Sequence, residues 1–329
     1  VRSALVGSGS VRSGSALALA LALLALLAPG VALAQYEIET GHSYGEIETP
    51  RMTAVAGAIR STSSSTAALY ANPANMAIAQ VYHAGAFAEI YPEAGRQTFG
   101  GAVVDSLLSS TGLSGGVSFA WTQQDPGGLG RQWTDLRFGL ALPIPDVLYV
   151  GVSGRYLQID QTGTGPLGYS KASGGQSGGI LMETITVDVG ATFRPIPEIV
   201  MSLVGYNLTS PDTSLVPLMG AASGGFLTGD FSIAADVVLE ATTFETAKFR
   251  VQSGAEFLVA NRVALRAGYR YDEGFESHFI TGGAGYVDPK FSIDVGVRRS
   301  LTGTDSTTLT FGFTVHMESL GLGAVSTED

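Results

Sequence analysis

The sequence predicts an all-β fold: a transmembrane antiparallel β-barrel of about fourteen strands, with a small N-terminal helical plug in its lumen. Three observations predict it. Charged residues are only 14% of the 329-residue chain, against about 25% in ordinary soluble domains, and mean hydropathy is +0.25. Yet beyond the amino-terminal apolar run, no segment offers the roughly 20 consecutive apolar residues a spanning helix needs. From Val81 onward, apolar and polar residues alternate with period two in segments of about ten residues, the length of a tilted membrane-crossing strand. The connections between these segments alternate between short and long, as in barrels with short turns at one rim and loops at the other.

The amino terminus reads as a signal peptide, residues 1–34. Arg2 and Arg12 supply positive charge, residues 16–28 form the apolar core, and Ala32-Leu33-Ala34 gives an A-x-A cleavage site. Val1 in place of Met is consistent with an alternative start codon or with a start misplaced upstream. The chain has no cysteine, which excludes disulfides, iron–sulfur clusters, cysteine zinc sites and an acylated lipoprotein cysteine. A net charge of −11 argues against nucleic acid as a partner.

Residues 35–50 are polar and contain an imperfect repeat, Tyr36-Glu37-Ile38-Glu39-Thr40 against Tyr44-Gly45-Glu46-Ile47-Glu48-Thr49. His42, Glu46 and Glu48 have metal-ligand chemistry, but the stretch reads as a flexible acidic leader, with no metal and no cofactor. Residues 54–70 are small, apolar and hydroxylated and read as one short helix. Pro73 fixes its own φ and biases Asn72 away from helix, so residues 71–75 read as the turn that ends it.

The strands are expected near 82–91, 96–106, 113–123, 134–143, 147–159, 184–194, 198–208, 216–226, 230–241, 247–258, 262–272, 277–287, 290–301 and 307–317. In 185–194, for example, Ile185, Val187, Val189, Ala191 and Phe193 separate cleanly from Thr186, Asp188, Gly190, Thr192 and Arg194. The second, seventh and twelfth segments alternate poorly, which leaves twelve or sixteen strands open. Glycine recurs on the polar face, as at Gly151, Gly190, Gly254 and Gly296, as expected where something packs inside a curved sheet. Tyr82, Tyr91, Trp121, Trp133, Tyr149, Tyr271 and Phe291 stand near strand ends, where interfacial aromatic girdles form. The barrel spans residues 81–317, preceded by leader and plug (35–80) and followed by an acidic tail (318–329).

Little in the sequence points to catalysis. There are four histidines, His42, His83, His278 and His316, no G-x-S-x-G, and no serine–histidine spacing of the kind barrel hydrolases use. His83 and Glu89 share the inward face of the first strand but are too far apart along it to touch. The chain reads as no enzyme. The inward charges include Arg137, Arg155, Asp188, Arg194, Asp236, Arg250, Glu256, Arg266, Arg270, Asp294 and Arg298. They suit either an ion-selective pore or the fastening of a plug.

Gly57, then the run Ser64-Ser65-Thr66-Ala67-Ala68-Leu69-Tyr70-Ala71-Asn72-Pro73-Ala74-Asn75-Met76, resembles the plug of the FadL-like outer-membrane transport barrels and of the related PorV-type barrels. Two departures stand out. Ser65 or Thr66 replaces a common Asp, and Asn75 replaces a common Gly. The resemblance implies a channel in a Gram-negative outer membrane, reached after signal-peptide cleavage, that takes up hydrophobic small molecules of the fatty-acid or hydrocarbon type and is gated by the plug. Carried over residue by residue, it points to Leu69, Tyr70, Asn72, Pro73, Met76 and Phe87 as ligand-binding or gating residues, with Phe119 beside them. Arg266 and Arg270, with Arg298 nearby, are candidates for an anionic headgroup. Gly100-Gly101 and Gly115-Gly116 are candidates for a strand irregularity. Expected partners are outer-membrane lipids, the barrel-assembly machinery and a hydrophobic small molecule. The alternatives are a PorV-type anchor for secreted or surface proteins and a simple diffusion porin.

Overall fold

The computed structural model describes residues 46–107, 109, 111–144, 147–163, 179–210, 216–303 and 305–320. The signal segment, His42 and the end of the tail lie outside them. Among the described residues the chain forms strands β1 (Tyr82–Tyr91), β2 (Arg96–Asp105), β3 (Ser114–Gln124), β4 (Arg131–Ile144), β5 (Leu148–Gln161), β6 (Gly179–Ile196) and β7 (Ile199–Tyr206). The second half comprises β8 (Met219–Leu227), β9 (Phe231–Glu240), β10 (Lys248–Val259), β11 (Val263–Asp272), β12 (Ser277–Val287), β13 (Phe291–Ser300) and β14 (Thr307–His316). Each pairs antiparallel with its sequence neighbours, and β1 pairs with β14 from His83↔His316 to Ile90↔Leu309. The barrel is closed, with fourteen strands, and so leaves no unpaired edge. The second, seventh and twelfth segments each form a single strand.

Alternation sets the two faces. On β9, Phe231, Ile233, Val237 and Leu239 point outward and are exposed, while Ala234, Asp236, Val238 and Glu240 point inward and are buried. Outward side chains around the wall include Ile185, 69% exposed, and Leu203, 66% exposed. Such exposure of large apolar groups suits a surface that meets hydrocarbon rather than water.

Several expectations need correction. The single helix over 54–70 is absent. Helix α1 (Pro50–Ala54) and helix α2 (Ser65–Ala71) are separate, and a 3-10 turn, Pro73–Ala77, follows. Ala56 (φ 59°) and Gly57 (φ 83°) enter the left-handed region between the helices and turn the chain along the wall. Glu46–Pro50 is not a flexible leader: Ile47, Glu48, Thr49 and Pro50 are buried in the lumen. The glycine pairs produce no irregularity, since β2 and β3 pair without a shift from Arg96↔Gln124 to Asp105↔Gly115. Shifts occur instead at Ile159/Asp160 and between Phe193 and Ile196. Tyr91 and Trp133 are 3% and 4% exposed and point into the lumen, so they belong to no girdle.

Candidate functional site

Residues 46–80 run inside the barrel along its inner wall. Pro50 and Ala54 lie against Gly296 of β13, Val55 against Gly254 of β10, and Ser61 against Gly225 of β8. Farther round, Asn72 meets Gly190 of β6, Pro73 and Ala74 meet Gly151 of β5, and Met76 meets Gly139 of β4. The contacts are too close for a side chain. A Cβ on Gly254 would lie 2.5 Å from the Val55 carbonyl oxygen, and one on Gly151 would lie 2.5 Å from the Pro73 carbonyl carbon. A belt of wall positions without side chains thus admits the backbone of the lumenal segment.

Charges fix the segment between these contacts. Asp236 accepts hydrogen bonds from the backbone N–H groups of Ile59 and Arg60, both at 3.2 Å, and from Arg60 Nη1 at 3.0 Å. Arg60 also donates to the Tyr206 hydroxyl (2.8 Å) and to Gln252 (2.7 Å). Glu48 lies 2.5 Å from Arg298 and 3.4 Å from Arg270. Arg250 meets Glu46 at 2.6 Å, and Arg51 meets Glu256 at 3.1 Å. Burial works against ionisation of Glu48, but Arg298 and then Arg270 outweigh it and hold its carboxyl below the ordinary value. Asn72 donates to the Arg60 carbonyl and to Thr192, both at 2.9 Å, and its own side-chain oxygen accepts from Ala74 N–H at 3.1 Å. That last bond caps the 3-10 turn. Pro73, first in the turn, has no N–H to leave unpaired.

Two of the cavities beside the segment meet at Tyr70. One, of about 50 Å³, is lined by Glu46, Glu48, Arg60, Arg137, Arg155 and Asp188 among others. The second, of about 350 Å³, lies toward the rim where β1 begins and β14 ends, and is lined by Ser65, His83, Phe87, Arg51, Arg266 and His316 among others. Among the described residues, Tyr70 stands on both linings. It packs edge-on to Phe87, with ring centroids 5.7 Å apart, and the Arg137 guanidinium lies 5.2 Å from its ring centre.

No protein-family model matches the chain, and no curated protein does. Solved structures do resemble it. The Ralstonia pickettii toluene transporter TbuX superposes with a TM-score of 0.58 at 14% identity, over 82% of this chain and 98% of that one. A Pseudomonas aeruginosa FadL homologue gives 0.59 at 13% identity, over 85% and 99%. The monoaromatic hydrocarbon channel CymD gives 0.54 at 13% identity, over 86% and 98%. The fold is that of the FadL-like barrels. By name, TbuX is a transporter and CymD a channel.

On this FadL-like fold, Leu69, Tyr70, Met76 and Phe87 meet in one buried apolar cluster with Ile59, Val104 and Ala120. Asn72 and Pro73 stand beside it, against the neighbouring strands β5 and β6. Phe119 is 49% exposed on the outer face, away from the cluster. Gly100 stands under the Phe87 ring, and Gly116 stands beside Met76 and Val104, so these glycines make room for side chains rather than loosen a ladder. Arg266 and Arg270 do not converge. Arg266 binds Glu256 and Asp294, and Arg270 binds Glu48 and Asp272. An anionic headgroup would have to displace an internal partner. Arg194 serves the wall itself, donating to the Pro197 carbonyl at 2.6 Å.

Sequence reasoning missed Glu46, Glu48 and Arg60 as anchors. It also missed Ser65, whose hydroxyl lies 2.6 Å from His83 Nδ1. The usable signal for the anchors was the excess of inward arginines over inward acids on β10–β13, which requires acids from elsewhere. No local signal marks Ser65.

Proposed function

We propose that the protein is a channel of the Gram-negative outer membrane for hydrophobic small molecules, closed by residues 46–80 acting as a plug. The position of Tyr70 between the two cavities carries this reading. A passage joining them would narrow to an apolar contact among Tyr70, Phe87, Leu69 and Met76, which favours an apolar guest over a hydrated ion. Around it, the plug is tethered by discrete hydrogen bonds and ion pairs that can be broken and re-formed. The guest we favour is a single-ring hydrocarbon, the class in the names of the toluene transporter and the monoaromatic channel. The signal segment would deliver the chain to the barrel-assembly machinery.

A crosslink tests the gate. The hydroxyls of Ser61 on the plug and Ser223 on the wall are 2.8 Å apart, and the native chain has no cysteine. The pair S61C/S223C therefore forms a single, unambiguous disulfide. In intact Gram-negative cells, whose lipopolysaccharide leaflet resists apolar solutes, labelled toluene should enter with the reduced protein and not with the oxidised one. Equal entry in both states refutes a moving plug. No entry in either state, from a folded barrel, shifts the weight to an anchor for secreted or surface proteins, since the lumen is then sealed.

A further inference from the structure

We propose that Ser65, His83 and Glu318 form a nucleophilic relay that accepts acyl groups from small carboxylic esters in the larger cavity. Three elements far apart in sequence bring these groups together: the first residue of α2, the second residue of β1, and the 3-10 turn Met317–Leu320 that follows β14. His83 Nε2 lies 2.9 Å from Glu318 Oε1, and His83 Nδ1 lies 2.6 Å from the Ser65 hydroxyl. With the ring proton on Nε2, His83 donates to the carboxylate, and its bare Nδ1 accepts from the serine. That is the division of labour of a serine nucleophile, its base and the group that orients the base, with the two ring nitrogens exchanged relative to the usual order.

The surroundings support the arrangement. Tyr82 N–H donates to the second oxygen of Glu318 at 3.2 Å. Slight burial opposes ionisation of Glu318, but its own backbone N–H and His83 outweigh it, so its carboxyl stays below the ordinary value. His316 stacks on His83 with ring centroids 4.3 Å apart and fixes the ring plane. Ser65 has φ 57°, in the left-handed region, where a non-glycine residue is strained. Ser65 and His83 both line the cavity of about 350 Å³, whose other walls include Ala67, Tyr70, Ala86 and Phe87. An ester with a short alkyl or single-ring acyl group matches that mixture of apolar wall and polar edge.

The chemistry balances with water alone. The Ser65 oxygen bonds to the ester carbonyl carbon while its proton passes to His83 Nδ1. The carbon–alkoxy bond then breaks, and the alcohol leaves with that proton. Water attacks the acyl-serine, gives a proton through His83 to the serine oxygen, and frees the carboxylic acid.

Serine-directed labelling of the full-length protein in detergent tests this without any variant. An alkyl fluorophosphonate should modify Ser65 in the folded barrel, mapped by peptide mass spectrometry, and modify none of the neighbouring Ser63 and Ser64. H83A should lower the labelling rate about 100-fold or more, the scale of a lost general base. E318Q should lower it less and should shift its pH profile, which a purely structural role would not do. The oxidised S61C/S223C protein should keep the labelling, because the relay exists while the plug is seated. Failure of the gate and failure of the relay are thus separate results. No adduct on the folded wild type, or one no faster than on heat-denatured protein, overturns the proposal.

Discussion

The glycine belt gives the sharpest test of how the lumenal segment is seated. Gly151 of β5 faces the 3-10 turn, and a Cβ there would lie 2.5 Å from the Pro73 carbonyl carbon and 2.7 Å from Ala74 Cα. These are backbone atoms, held by the Asn72 cap and by Pro73, so no rotamer change relieves the clash. Overpacking of this kind costs about 1–3 kcal/mol, equivalent to about 5–150-fold in the ratio of seated to unseated segment. Gly220 of β8 is the control. It points outward, and an added Cβ meets nothing within 4 Å. Both variants should remain folded, heat-modifiable barrels. In planar bilayers, Gly151→Ala should raise the open probability within the 5–150-fold range, while Gly220→Ala should match wild type. Equal conductance of both variants and wild type would refute the reasoning that wall glycines set the seating of the segment.

Two further outcomes follow from the anchors. Asp236→Asn keeps the shape, and its amide oxygen can still accept from Ile59 and Arg60 while its amide N–H faces the Ser223 hydroxyl, but it leaves the buried Arg60 guanidinium without its carboxylate. Removing one partner of a buried pair costs about 3–5 kcal/mol, so the urea midpoint should fall markedly; a change below about 1 kcal/mol contradicts the anchoring role. Glu48 supplies a pH dependence. Its carboxyl is held below its ordinary value in the folded chain, so its stabilisation is complete above the unfolded value of about 4.3 and is lost as pH falls through the lower, folded value. Protease cleavage within residues 46–80 should therefore rise below about pH 4.3 in wild type, with a smaller rise in Glu48→Gln.

Most of the barrel was legible because one face of every strand meets hydrocarbon. That face tolerates no charge, so the period of two survives in segments such as 185–194, although the strand built on that segment runs further, from Gly179 to Ile196. The belt was legible for a related reason: glycine on an inward face is hard to explain unless backbone approaches it. What escaped is whatever depends on partners distant in sequence. Residues 46–49 look like a polar leader until Arg250, Arg270 and Arg298, some 200 positions later, are placed around them. The run from Ala54 to Tyr70 has good helix formers only at its alanines, Arg60 and Leu69, and hydrogen bonds donated to Asp236 by two consecutive backbone N–H groups fix a turn there instead. Local propensity is worth a few tenths of a kcal/mol per residue and yields to such contacts. The Ser65–His83 pair joins residues 18 positions apart through a wall and a lumenal segment, so no spacing rule could find it.

The two kinds of contact holding the lumenal segment differ in what can replace them. A buried ion pair such as Arg60–Asp236 or Arg298–Glu48 contributes little net stability over hydrated ions when water can follow the parting charges. The apolar cluster of Leu69, Tyr70, Met76 and Phe87 is different. Each large side chain exposed there loses about 1.5–3 kcal/mol of burial, and water cannot restore it. A hydrophobic guest can, because it covers the same surface. On the plug reading, the guest therefore binds the opened state better than the closed one, and that differential affinity is the only way a ligand can shift such an equilibrium. The apolar contact at Tyr70 then does more than seal the lumen. On the proposed function, it makes opening conditional on a molecule of the kind that is to pass.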